Sequence, residues 1–119
     1  MPTTLKLKAQ IFLEDEIALG PGKADLLDAI TSEGSISGAG RKMGLSYRRA
    51  WLLVDTMNRC FERPLVVTAH GGSRGGGARL SPDGEKILAA YRALQADLKD
   101  ASKRAEAIIS LLRAAPLEH

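Results

Sequence analysis

The short linker Gly44-Leu45-Ser46 constrains this chain more than any other stretch. The residues before it, Gly34 to Met43, fit a short helix capped by Ser35 or Ser37 and stopped by Gly44 in the left-handed conformation; Ser46 can cap a second helix at once. Helices joined so tightly must cross steeply. The crossing calls for a small residue, met by Ala39, and for a plug at the corner, met by Leu45. Together these features describe a helix-turn-helix, a geometry shared with a plain helical hairpin.

The second helix carries the reading further. Ala50, Val54, Met57 and Phe61 recur at the spacing of one buried stripe, and Pro64 closes the segment. Its first exposed turn presents Tyr47, Arg48 and Arg49. Two guanidinium forks at that place can enter the DNA major groove, where Arg pairs bidentately with guanine. A solvated amphipathic helix would also tolerate them.

Charge placement favours the groove. Residues 41 to 79 hold eight Lys or Arg (41, 42, 48, 49, 59, 63, 74, 79) against Asp55 and Glu62, although the whole chain has a net charge of only +3. A basic face of this kind suits a polyphosphate partner. The 119 residues suit one domain. The single cysteine, Cys60, excludes an internal disulfide, reads as core, and fits a reducing cytoplasm. No apolar run reaches the roughly 20 residues of a membrane span, and the N-terminus has no signal-peptide pattern. Leu117-Glu118-His119 reads as a tag remnant.

Around this centre the chain is punctuated clearly. Leu5, Leu7, Ala9, Ile11 and Leu13 alternate with other residues as a strand with one covered face would. Glu14-Asp15-Glu16 offers a turn, and Ile17-Ala18-Leu19 can return as a second strand. Gly20-Pro21-Gly22 breaks the pattern before a helix over 23–33, with Leu26, Leu27 and Ile30 at helical spacing and Gly34 as its stop. Beyond the helix-turn-helix, Leu65 to Thr68 and Ala78-Arg79-Leu80 fit a hairpin with 69–77 as its loop. A hairpin directly after a recognition helix is a wing. Its glycines allow close approach to a phosphate chain, with Arg74 reaching the backbone or the minor groove; a solvated loop is the plainer alternative. Gly71-Gly72-Ser73-Arg74-Gly75 matches a nucleophile elbow only formally, since His70 is the one His outside the terminal residues. One Cys and one such His cannot close a metal site.

Ser81-Pro82-Asp83 begins another helix. Ile87, Tyr91, Leu94, Leu98, Ala101, Ala105, Ile108 and Leu112 form a heptad seam along it. A continuous helix from Pro82 to Arg113 would extend about 48 Å. A body this small cannot cover that length, so part of the seam is expected to meet a second copy.

The order of hairpin, helix, helix-turn-helix, wing and long helix resembles the N-terminal DNA-binding domain of ModE-type molybdate-responsive transcriptional regulators, a winged helix related to that of LysR regulators. The resemblance rests on Leu26-Leu27-Asp28-Ala29-Ile30, Gly34-Ser35-Ile36-Ser37, Met43-Gly44-Leu45-Ser46-Tyr47-Arg48-Arg49-Ala50-Trp51, Met57-Asn58, and Gly75-Gly76-Gly77-Ala78-Arg79-Leu80-Ser81-Pro82. It implies that Ser46, Tyr47, Arg48 and Arg49 read the groove, that Arg74 and its glycines form the wing, and that the long helix holds the dimer.

The expected fold is mainly α with small β elements: a winged helix-turn-helix over 1–81, a dimerisation helix over 82–116 and a tag remnant over 117–119. The expected DNA-binding set is Ser35, Ser37, Arg41, Lys42, Ser46, Tyr47, Arg48, Arg49, Ser73, Arg74 and Arg79, and the expected dimer seam is the heptad series. The expected function is a cytoplasmic, non-enzymatic, homodimeric regulator binding an inverted repeat in double-stranded DNA. No cofactor or metal is expected. ModE proteins carry C-terminal oxyanion-binding domains, whereas this chain ends at its long helix; no dedicated molybdate pocket is expected in it, and regulation is expected from a separate effector-binding protein, from protein abundance or from a ligand of another kind. The alternative is an adaptor whose heptad helix recruits a protein partner. A hydrolase using Ser73 is a remote third.

Overall fold

A computed structural model describes residues 3–69 and 76–118. Helix α1 spans Pro21–Glu33, α2 Ile36–Met43 and α3 Tyr47–Cys60. Gly34 and Gly44 end α1 and α2 at φ of 74° and 70°, where a Cβ would be strained. Ser35 and Ser46 accept from the N–H groups of Gly38 and Arg49, each at 3.0 Å, so Ser35 and not Ser37 is the cap of α2. Ala39 is fully buried at the crossing. The closest backbone approach lies one residue on, because a Cβ on Gly40 would stand 3.2 Å from that of Ala50. Leu45 is half-buried at the corner, and its N–H donates to the carbonyl of Gly40 at 2.8 Å.

Helix α1 begins earlier than expected, at Pro21. Gly20 takes the cap position, and proline in the first turn loses nothing by lacking an N–H. Leu26, Leu27 and Ile30 pack with Ala50, Val54 and Met57 in one core that also takes in Leu19 and Leu65. Phe61 lies just past the end of α3 and is half-buried, as is Cys60, which is therefore a flank of the core and not its interior.

Two small antiparallel sheets complete the body. Strands β1 (Ile11–Leu13) and β2 (Glu16–Leu19) pair through a turn in which Glu14 has φ of 53°. The expected strand from Leu5 forms only over its last three residues, and Leu5, Leu7, Ile11 and Leu13 are all exposed. The short β2 offers no partner to residues 5–10, so their apolar face finds no cover within this chain. In the wing, β3 (Val66–Thr68) pairs with β4 (Ala78–Leu80), with Val67 opposite Arg79. The N–H of Ala78 donates to the carbonyl of Gly34 at 2.8 Å and docks the wing on the end of α1. Ser73 and Arg74, and with them the elbow-like run and His70, lie outside the described residues.

The segment Pro64-Leu65-Val66 joins the parts. Asn58 Oδ1 accepts from the N–H groups of Leu65 and Val66 at 2.9 and 3.2 Å, while Asn58 Nδ2 donates to the Val66 carbonyl at 3.1 Å. From the other side, the Ser81 N–H donates to the Leu65 carbonyl at 2.8 Å and the Ser81 hydroxyl to the Pro64 carbonyl at 2.6 Å. Helix α4 (Pro82–Ala101) starts there, capped by Ser81.

Helix α4 is shorter than the expected helix to Arg113. At Ser102–Ala105 it tightens into a 3₁₀ turn, followed by the single turn α5 (Glu106–Ile109). The Ser102 hydroxyl donates to the Lys99 carbonyl, and such local side-chain bonding competes with the helical ladder. Three residues per turn also rotate Ala105, Ile108 and Leu112 out of the preceding stripe. The near end of the seam is used within the chain: Ile87 packs against the core, and Tyr91 is buried with its hydroxyl donating to the Ala9 carbonyl at 2.7 Å. Past Tyr91 no described residue is buried, and the molecule measures 63 Å along its longest axis.

Asn58→Ala should strand two backbone donors and cost about 1–3 kcal/mol of stability. A Cβ on Gly84 would stand 2.2 Å from the Leu65 carbonyl oxygen. Gly84→Ala therefore forces α4 off the Leu65 backbone, at a cost of about 1–3 kcal/mol. Urea unfolding of both variants measures these losses, and unchanged midpoints would refute the junction.

Candidate nucleic-acid interface

The buried stripe of α3 fixes what its other faces show. With Ala50, Val54 and Met57 inward, Arg48, Leu52 and Asp55 point away from the body, Arg59 reaches back to Glu16 of β2 at 3.7 Å, and Tyr47 and Trp51 flank the wing side. Tyr47 and Trp51 meet edge to face, with ring centroids 6.2 Å apart. A cleft of about 210 Å³ opens between the starts of α2 and α3 and the wing; Ser35, Ser37, Tyr47 and Trp51 line one side and Thr68 and Gly76 the other.

Electrostatics separate the front of the body from its back. Arg63 is bound to Asp83 at 2.8 Å, Arg92 to Asp25 and Asp28, and Arg59 to Asp55 at 2.9 Å; hydrogen bonding to these carboxylates holds all three guanidiniums above their ordinary range. Among the described residues, Arg41, Arg48, Arg49 and Arg79 have no such partner. Arg48 and Arg49 in the first turn of α3 are thus free to meet an anion.

The expected DNA-binding residues do not all gather in one place. Ser35, Ser37 and Tyr47 surround the cleft, Ser46 caps α3 beside them, and Arg48 projects outward. Lys42 turns instead toward α1, where its ammonium donates to the Ser32 hydroxyl at 3.0 Å and lies 3.8 Å from Glu33. Arg79 sits on the outer side of the wing with Gly34 and Val67. Arg49 lies on the flank of α3 away from the wing, in a shallow groove shared with Lys8 and Lys23.

Lys8, Lys23 and Leu52 were not singled out as site residues from the sequence, and Trp51 entered only as part of the family resemblance. Counting helical positions away from the buried stripe exposes Trp51 and Leu52, but nothing local places Lys23 beside Arg49. Partial burial, then the Arg49 charge, hold the Lys23 amine below its usual range. Among the described residues, no group of three or more His, Cys, Asp or Glu could hold a metal, and no helix is long and apolar enough to cross a membrane.

No protein-family model matches the chain. Curated proteins do match it: it is 40% identical over 104 residues to the molybdenum transport protein ModE of Azotobacter vinelandii, covering 86% of this chain and 38% of that protein. It is 38% identical over 88 residues to the DNA-binding transcriptional dual regulator ModE of Escherichia coli K12, covering 74% of this chain and 31% of that protein. Its homologues are ModE transcriptional regulators. A further relative, 50% identical over 78 residues, is the molybdenum-pterin-binding protein MopB of Rhodobacter capsulatus, with 66% and 29% coverage. The chain thus spans 29 to 38% of these three ModE and Mop relatives. Among solved structures, full-length LysG of Corynebacterium glutamicum with bound effector Arg, a LysR-type regulator, superposes with a TM-score of 0.56 at 22% identity, covering 79% of this chain and 30% of that one. That likeness shows the fold, a LysR-like winged helix.

The Lys23–Arg49 pair has a measurable cost. A lysine whose folded pKa is depressed disfavours the folded state while it is charged, and the penalty is relieved as pH rises through the lowered folded value toward the unfolded 10.5. Lys23→Met should therefore raise the thermal midpoint at pH 7 by roughly 1–3 °C. The difference between the two proteins should shrink above pH 10.5. Paired thermal melts across pH check the sign, and a lower midpoint for the variant at pH 7 would contradict it.

Proposed function

We propose that the chain is a sequence-specific DNA-binding transcriptional regulator of the ModE type, not an enzyme, with α3 entering the major groove. The observation that carries this reading is the capped first turn of α3, where Arg48 and Arg49 stand exposed with no acidic partner among the described residues. Its ModE relatives, named as transcriptional regulators, support it. In this reading Arg48 reads guanine, while Ser35, Ser37, Ser46 and Arg49 hold phosphates or base edges beside it. Arg41 and Arg79 add positive charge around the site. Arg74 and Ser73, outside the described residues, remain the sequence-based assignment for the tip of the wing. Lys42 has the weakest claim, because it already faces Glu33.

Arg48→Ala should cost about 1–3 kcal/mol on a selected duplex and relax preference at one base pair per half-site. Arg49→Ala, if its contact is to a phosphate, should weaken all sequences alike and lower the salt slope by about one. Genomic-fragment selection followed by titrations at several salt concentrations measures both. Equal losses on selected and random duplexes for both variants would remove α3 as the base-reading element.

We further propose a homodimer through the exposed part of α4, around Leu94 and Leu98, binding an inverted repeat. Leu94 is 39% exposed in the single chain and Leu98 lines an open groove with Leu5 and Leu7. These residues and the uncovered N-terminal stripe form one apolar surface suited to a second copy. Two-fold pairing would set the recognition helices about 34 Å apart, one turn of DNA. Leu94→Lys or Leu98→Lys should then give monomers in sedimentation. A monomer in the unmodified protein would reject the dimer and favour recruitment of a different protein by the same surface.

A further inference from the structure

Helix α3 exposes three large apolar side chains in its first two turns: Tyr47 at 61%, Trp51 at 38% and Leu52 at 47% relative exposure. They are not spare core residues, because the inward stripe of Ala50, Val54 and Met57 is already fully packed. Neighbouring exposed residues of the same helix are charged, Arg48 and Arg49 between Tyr47 and Trp51 and Asp55 after Leu52. An apolar cluster embedded in a charged face marks a contact surface. Its surroundings define the partner: unpaired guanidiniums complement an anion, and the cleft beside Trp51 is shaped by the wing. The occupant must therefore be a polyanion that also offers apolar groups at the depth of the helix.

Duplex DNA meets that description in one way. Along the major-groove edges the apolar feature is the C5-methyl of thymine. Leu52 lies one helical turn beyond Arg48 on the same outward stripe, a rise of about 5.4 Å. At about 3.4 Å per base step, that displacement corresponds to one or two base pairs. We infer that Leu52, flanked by the Tyr47–Trp51 pair, reads the methyl of a thymine one or two base pairs from the guanine met by Arg48. The edge-to-face contact holds the Trp51 ring against Tyr47, so the apolar surface is set before DNA arrives. This inference rests on the DNA-binding reading above and adds to it which base the apolar residues specify.

The test uses the full chain and a duplex selected from random sequence. Each thymine of the selected duplex is replaced in turn by deoxyuridine, which removes the methyl and keeps the base pairing. At least one position per half-site should lose about four-fold in affinity, the value of one buried methyl. The penalty at that position should vanish in Leu52→Ala. Leu52 is half exposed and alanine favours helix, so this variant should fold; Trp51→Phe, which keeps an aromatic ring, serves as a second variant and should reduce the same penalty. A specifically bound duplex that tolerates deoxyuridine everywhere, or a penalty that persists in both variants, overturns the methyl reading and leaves DNA binding intact. Failure to bind selected or random duplex overturns the proposed function itself, and this inference with it.

Discussion

The backbone of Pro64-Leu65-Val66 is the part on which the other elements depend. Leu65 is fully buried, and a buried peptide group must find its hydrogen bonds inside the protein. Here Asn58 of α3 meets the Leu65 and Val66 donors and the Val66 carbonyl, and Ser81, the cap residue of α4, meets the Pro64 and Leu65 carbonyls. Helix α3, the wing and α4 are thereby fastened to the same three residues. Gly84 is required because a side chain at the start of α4 would occupy the place of the Leu65 carbonyl. The spacing between α3 and the wing is consequently fixed before any ligand is present, as a pre-organised groove reader needs.

What the sequence made legible follows the range of the interactions. Helix ends were readable because Gly34 and Gly44 act through their own backbone angles and Ser35, Ser46 and Ser81 through bonds three residues away. The wing was readable from its β-branched run and its nearness to α3. The N-terminal alternation was read as a strand, but alternation shows only that one face seeks cover, and this chain supplies cover to little beyond Ala9. The heptad series likewise hid two different fates. Tyr91 is spent inside the chain, whereas Leu94 and Ile108 remain exposed, and the 3₁₀ turn between them breaks the register. Lys23 beside Arg49 and Lys42 against Glu33 depend on how α1 packs, which no local pattern records.

The same packing explains how a chain with a small net charge presents a basic face. Carboxylates are used where they bind α4 to the body, as Asp25 and Asp28 do for Arg92 and Asp83 does for Arg63. Exposed pairs of this kind add little stability each. Their larger effect is on the distribution of charge, since each arginine neutralised by a carboxylate leaves the unpaired ones to set the field. Lys23 goes further, because it is partly buried beside Arg49 and the Glu16 carboxylate offsets only part of that cost. Such an arrangement is unfavourable while the lysine is charged.

Helix α4 converts this local order into a long-range one. Tyr91 is held to the strap around Ala9, and Arg92, one residue on, is held to Asp25 and Asp28 of α1. Two successive residues thus anchor the helix to different elements, and they fix its rotation as well as its direction. The free stripe beginning at Leu94 leaves the body along a line determined entirely by in-chain contacts. In any two-fold pairing through that stripe, the separation of the two α3 helices is then a property of the fold, transmitted from Asn58 through Leu65 and Ser81 into α4, and the spacing of half-sites that such a pair accepts is set by the same hydrogen bonds that hold the single chain together.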